Sequence, residues 1–132
     1  MKRNISKSFA VLVMVLMLIG CANTGTTTTA GADQDFITNS YNALSVAGQA
    51  YDKGMTAIGT MYKAGQFSEE NKVKAVAVAT IYKAKYEEAV DALVLYSKSP
   101  TAANKLAVQT KIGEATAQVA AITALQILNS TK

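Results

Sequence analysis

Cys21 is the single cysteine of the 132-residue chain, and its thiol is the best nucleophile the sequence offers for accepting a carbon chain through sulfur. One thiol permits no disulfide within the chain. Histidine is absent, which removes the commonest metal ligand and the commonest acid-base group, so any metal site would be built from oxygen alone. Glu87, Glu88 and Asp91 lie close enough along the chain to suggest acid-base work or calcium binding, yet no Gly-centred calcium loop accompanies them. Lys83 precedes Glu87 at helix-surface ion-pair spacing, so the cluster reads as a solvated face. The sequence holds no Gly-rich phosphate loop, no Ser-His-Asp set and no Cys-His pair. We therefore expect no catalytic residue, no metal and no cofactor.

The surroundings of Cys21 give it a specific chemistry. Lys2, Arg3 and Lys7 precede an apolar run from Phe9 to Ile19, and Gly20-Cys21 follows. A positive start, a short apolar run and a small residue before a cut form a secretory signal, and the run is too short to span a bilayer. Leu18-Ile19-Gly20-Cys21 matches a lipobox, so the leader resembles that of bacterial lipoproteins. The resemblance implies that Cys21 takes a diacylglyceryl group, that a signal peptidase cuts between Gly20 and Cys21, and that the new amine is acylated, palmitate being the expected chain. Each buried methylene contributes about 0.8 kcal/mol, so several chains on one residue hold a domain at a membrane. In enterobacterial lipoproteins an aspartate after the cysteine retains the product at the inner membrane. Ala22 stands there in this chain, which by resemblance directs it to the outer membrane, facing the periplasm. The terminal Lys132 is similar to the wall-linked lysine of the murein lipoprotein, but a turn-broken chain without basic and aromatic neighbours beside that lysine departs from its pattern.

The formal charge of +4 belongs mostly to the leader, which holds three of the thirteen basic residues and none of the nine acidic ones. Ten against nine remain. A near-neutral domain has no electrostatic footprint for nucleic acid.

The elements that carry these residues are helical. Residues 1–20 are the expected leader, 21–32 a lipidated end with a Thr-rich flexible tether, and 33–132 a helical domain. Asp33 and Asp35 suit a helix start, and Ile37, Tyr41, Leu44, Gly48, Tyr51, Met55, Ile58 and Tyr62 form one stripe. Gly65 predicts a left-handed cap, with Phe67 folding back on the last turn. Ser68 followed by Glu69 and Glu70 predicts the next start. Along the second helix Ala75, Ala79, Tyr82, Tyr86, Ala89, Val90, Leu93 and Tyr96 share a face, while Val73, Ile81 and Leu95 outside it predict a neighbour on another side. Ser99-Pro100 predicts a third start, with serine as cap and proline in the first helical position. Val108, Ile112, Ala115, Val119 and Ile122 continue that helix, whose last turns are apolar almost all round. The expected helices span about residues 34–64, 69–97 and 100–128. Short connections force antiparallel neighbours, giving an all-α, antiparallel up-down-up three-helix bundle; a hairpin completed by dimerisation is the competing architecture.

Six tyrosines, Tyr41, Tyr51, Tyr62, Tyr82, Tyr86 and Tyr96, fall largely on the expected inner faces. They read as a core border, ring buried and hydroxyl wet, or as a groove for a small molecule, peptide or glycan. Close helix approach or facing tyrosine rings would account for Gly48 and Gly59 on or near the stripe, with Gly54 on another side. The expected function is that of a lipid-anchored envelope lipoprotein acting as a protein-interaction or structural module. The alternatives are a ligand-binding lipoprotein and a phage- or plasmid-derived superinfection-exclusion lipoprotein. Its partners are the membrane, through the anchor, and an envelope protein.

Overall fold

The computed structural model describes residues 29–130, which form three helices: α1, Thr29–Lys63; α2, Glu69–Lys98; and α3, Ala102–Ser130. Among the described residues there is no strand, and the domain is an all-α helical bundle in which every helix packs on the other two.

Local chemistry sets most of the boundaries. Gly65 has φ 71°, the left-handed backbone that glycine adopts without cost. The Gln66 amide reaches back to the Met61 carbonyl and the Gly65 amide to the Tyr62 carbonyl, the paired bonds of a Schellman ending. Phe67 then tucks inward and is buried with Ile58, Ala75 and Ile122. Ser68 caps α2, its hydroxyl accepting from the Asn71 amide at 3.2 Å, with Glu69 and Glu70 in the first turn.

Two starts differ from the sequence reading. α1 begins at Thr29, inside the segment expected to be a tether, so no acidic residue lies in its first turn. Asp33, expected at the helix start, instead sits a turn further in and accepts a 2.6 Å hydrogen bond from the Tyr96 hydroxyl, which ties this early part of α1 to α2. α3 begins at Ala102 rather than at Pro100. Thr101 is its cap, accepting from the Asn104 amide at 3.1 Å, while the Ser99 amide closes α2 by donating to the Leu95 and Tyr96 carbonyls. Asn104 donates to the Ser99 carbonyl at 2.7 Å, stitching the two helix ends together. Serine serves the helix that ends, and threonine the one that begins.

The interior divides into two apolar groups. Leu44, Ala89, Leu93, Tyr96, Val108 and Ile112 fill one end, and Ile58, Phe67, Ala75 and Ile122 the other. α2 meets both neighbours through the single face that carries Ala75, Tyr82, Ala89, Leu93 and Tyr96. Val73, Ile81 and Leu95, expected to face a further neighbour, are exposed, and Val90 lies at the open margin. Their side of α2 is not covered by α1 or α3.

Glycine placement also differs from expectation. The close approach falls at Gly54, where an added Cβ would stand 2.7 Å from Ile122 Cγ2. Gln126 of α3 donates to the Gly54 carbonyl at 2.6 Å across the same contact. Gly48 faces tyrosine rings as expected, with the Tyr86 and Tyr82 hydroxyls 3.8 and 4.0 Å from the position of a Cβ. Open space surrounds Gly59, and nothing in the structure accounts for a glycine there.

Candidate functional site

Gly20 and Cys21, the expected cleavage and lipidation residues, lie outside the described residues, as does Lys132. Among the described residues no helix is long and apolar enough to cross a membrane, and no group of His, Cys, Asp or Glu side chains is arranged to hold a metal ion.

The tyrosines are the next candidates. Tyr51 of α1 stacks on Tyr82 of α2 with centroids 4.1 Å apart and planes 8° from parallel. Tyr86 leans on Tyr82 at 5.6 Å. A third flat ring would need roughly twice the Tyr51–Tyr82 spacing, so these faces are closed against each other. Tyr96 is buried at the far end, edge-on to Phe36, with centroids 4.8 Å apart. Tyr62 borders the core beside the first turn of α2, donating to Glu69 and receiving Lys72, whose ammonium sits 4.3 Å above its ring. Tyr41, expected on the inner face, is exposed instead. The tyrosines are thus mostly a seam between α1 and α2 rather than the wall of a groove.

One atom of this seam stands out. The Tyr82 hydroxyl is buried without a hydrogen-bond partner among the described residues. Desolvation, reinforced by neighbouring Tyr86 and Asp52, pushes its ionisation up to about 12. Burial likewise raises Tyr96 to about 12, with its bond to Asp33 acting in the same direction. Both hydroxyls remain neutral throughout the physiological range, and only that of Tyr96 donates, to Asp33.

The carboxylate cluster also resolves differently from its sequence reading. Glu87 and Asp91 are exposed, but Glu88 turns toward α3 and joins a four-charge ring. Lys111 contacts Glu88 at 2.6 Å and Glu114 at 3.2 Å; Lys85 contacts the same two carboxylates at 3.2 and 3.1 Å. The ring lowers both carboxyl ionisations, Glu88 chiefly through Lys111 and Glu114 chiefly through Lys85, and raises both lysines. Carboxylates saturated by ammonium groups are poor acids, poor bases and poor cation ligands. The ring fastens α2 to α3. The same-sign order of Lys85…Glu88 and Lys111…Glu114, each with three-residue spacing, was its only trace in the sequence.

No family model, curated protein or solved structure matches this chain.

Proposed function

We propose that the chain is a lipid-anchored envelope lipoprotein whose helical bundle acts as a protein-interaction or structural module without catalytic turnover. The observation that carries this reading is the leader: Lys2, Arg3 and Lys7, the apolar run, and Leu18-Ile19-Gly20-Cys21. In this reading Gly20 is removed, Cys21 carries the lipid, and the bundle stands on the periplasmic side of the outer membrane. The neutral domain charge gives no support to nucleic-acid binding, and the stacked Tyr51 and Tyr82 rings favour docking over capture of a flat ligand between them.

The up-down-up course belongs to the proposal. It is supported by contacts whose order reverses along the chain: Asp33 with Tyr96, Tyr51 with Tyr82 and Tyr62 with Glu69 relate α1 to α2, while Glu88 with Lys111 and Asn71 with Asn129 relate α2 to α3. The anchor is tested by Cys21→Ala in cells fed labelled palmitate. The expected result is loss of label together with an unprocessed precursor or release from the membrane fraction. Label that survives the substitution refutes the assignment.

A further inference from the structure

We propose that the outward side of α2 is a contact between two copies of this chain, with their α2 helices packed antiparallel about a two-fold axis. Val76, Thr80, Lys83, Glu87, Val90 and Val94 follow one another at alternating four- and three-residue steps, and all are exposed. Their order is palindromic in chemistry. Turned end for end about the midpoint between Lys83 and Glu87, the stripe sets Val76 against Val94, Thr80 against Val90 and Lys83 against Glu87. Thr80 fits its place in the series, since its hydroxyl donates to the Val76 carbonyl at 3.0 Å and what remains is a β-branched side chain of valine's shape. Lys83 and Glu87 make no ion pair among the described residues, whereas Lys72, Lys74 and Lys85 of the same helix are each held by a glutamate. A second copy supplies both partners, once on each side of the axis, between flanks rich in valine. The surface is thus complementary in charge to itself, the requirement of a contact between identical patches.

The surroundings of the stripe suit this register. Asp33 meets Tyr96 and Tyr51 meets Tyr82, so Tyr41 of α1 comes level with Val90. It shares the side of α1 on which Gly48, two turns on, faces Tyr86, and it therefore extends the valine flank. At the ends, Lys98 of one copy comes level with Lys72 of the other, which Glu69 already neutralises. The two helices overlap for about 40 Å, and a strip about 12 Å wide over that length covers about 480 Å². Tyr41, 66% exposed, adds roughly 100 Å² of the 150–250 Å² that an aromatic side chain can bury. Each copy then contributes about 600 Å², half of the roughly 1,200 Å² at which specific interfaces begin. The dimer gives the proposed interaction module its partner and rests on that reading, but not on the lipid anchor.

Intact cells expressing the full chain are treated with a short, permeant bis-maleimide. The chain carrying both Val76→Cys and Val94→Cys is expected to give a band at twice the chain mass, several-fold above the parent, whose only thiol is Cys21, and above either single substitution. A single cysteine stands about 27 Å from its own copy, the helical rise between positions 76 and 94, which the reagent does not span. Adding Lys83→Glu or Glu87→Lys sets like charges face to face and should return the band to background with the helical circular dichroism unchanged. Adding both together should restore it. A double-cysteine band no stronger than the singles overturns the contact, as does a band indifferent to Lys83→Glu or a swap that fails to restore it. A single cysteine that crosslinks to its own copy overturns the antiparallel order, and a band at another mass puts a different protein on this face and overturns the self-contact. Palmitate labelling of the same cells reads the anchor separately, so a dimer band without label sinks the lipoprotein reading and leaves the contact standing.

Discussion

The glycines of α1 allow the packing of the bundle to be tested one position at a time. In a helix interior, alanine is favoured over glycine by about 1 kcal/mol. At Gly59, where a Cβ meets open space, Gly59→Ala should realise that gain in full. At Gly48 the new methyl makes ordinary contacts with the Tyr86 and Tyr82 hydroxyls at 3.8 and 4.0 Å, so Gly48→Ala should also stabilise, by somewhat less. At Gly54 the Cβ would stand 2.7 Å from Ile122 Cγ2, against an optimal carbon–carbon separation of about 3.5–4.0 Å. Ile122 is fully buried and cannot swing aside. Overpacking a filled core costs about 1–3 kcal/mol, which outweighs the propensity gain and leaves Gly54→Ala about 1 kcal/mol less stable than the parent. The two ends of the series then differ by about 2 kcal/mol, or roughly 10 °C in melting temperature for a domain of this size. Urea unfolding followed by circular dichroism, with m held common, measures the differences. In an Ile122→Ala background the Gly54→Ala penalty should vanish, since the atom it strikes is gone. A Gly54→Ala protein as stable as Gly59→Ala would refute the close passage of α1 and α3.

Removing the unpaired hydroxyl with Tyr82→Phe should stabilise the bundle by about 1 kcal/mol, because a buried polar atom without a partner costs about 1–3 kcal/mol; a loss of stability on denaturation would reveal a partner for that oxygen. The raised ionisation of Tyr82 and Tyr96 makes the folded state hold their protons more tightly than the unfolded chain. Their contribution is thus complete below pH 10 and lost as pH rises toward 12. Unfolding midpoints across that window should fall less steeply in Tyr82→Phe, and equal slopes would contradict the burial. The depressed carboxyls of Glu88 and Glu114 act at the other end, contributing stability above their ordinary value of 4.5 and losing it as pH falls through their lower folded values. Glu88→Gln should flatten the acid limb of the stability curve, whereas an unchanged limb would mean that the ring does not persist in solution.

The legible parts of the fold are those governed by local backbone chemistry. Gly65, Phe67 and Ser68 could be read directly, because a left-handed cap, a returning aromatic and a hydroxyl N-cap are each specified within a few residues. Ser99-Pro100 misled for a related reason. Ser99 and Thr101 are both competent caps, and the choice between them depends on Asn104 reaching back to the Ser99 carbonyl, a contact that spacing alone does not reveal. Gly54 was harder still, since its role is set by Ile122, distant in sequence. The four-charge ring likewise needs α2 and α3 to be side by side before its pairs become a single unit.

The outward faces show a different limit. Apolar periodicity identifies the stripe that a helix buries, and for α3 it identified Val108, Ile112, Ala115 and Ile122, all of which are buried. The opposite side of α3 escapes that test because alanine and glycine hardly alter a hydropathy pattern. What distinguishes it is a missing property: no ionisable residue occurs from Ala115 to Ser130. An ordinary water-facing helix side is charged, as α1 is, since charge keeps identical molecules apart. In α3 the charged residues Lys111 and Glu114 are paired with α2, so its outward side carries no charge of its own. Ala120 is exposed on that side, so Ala120→Lys should leave the helical circular dichroism and the urea midpoint unchanged, and a loss of stability would mean that the bundle packs against this face.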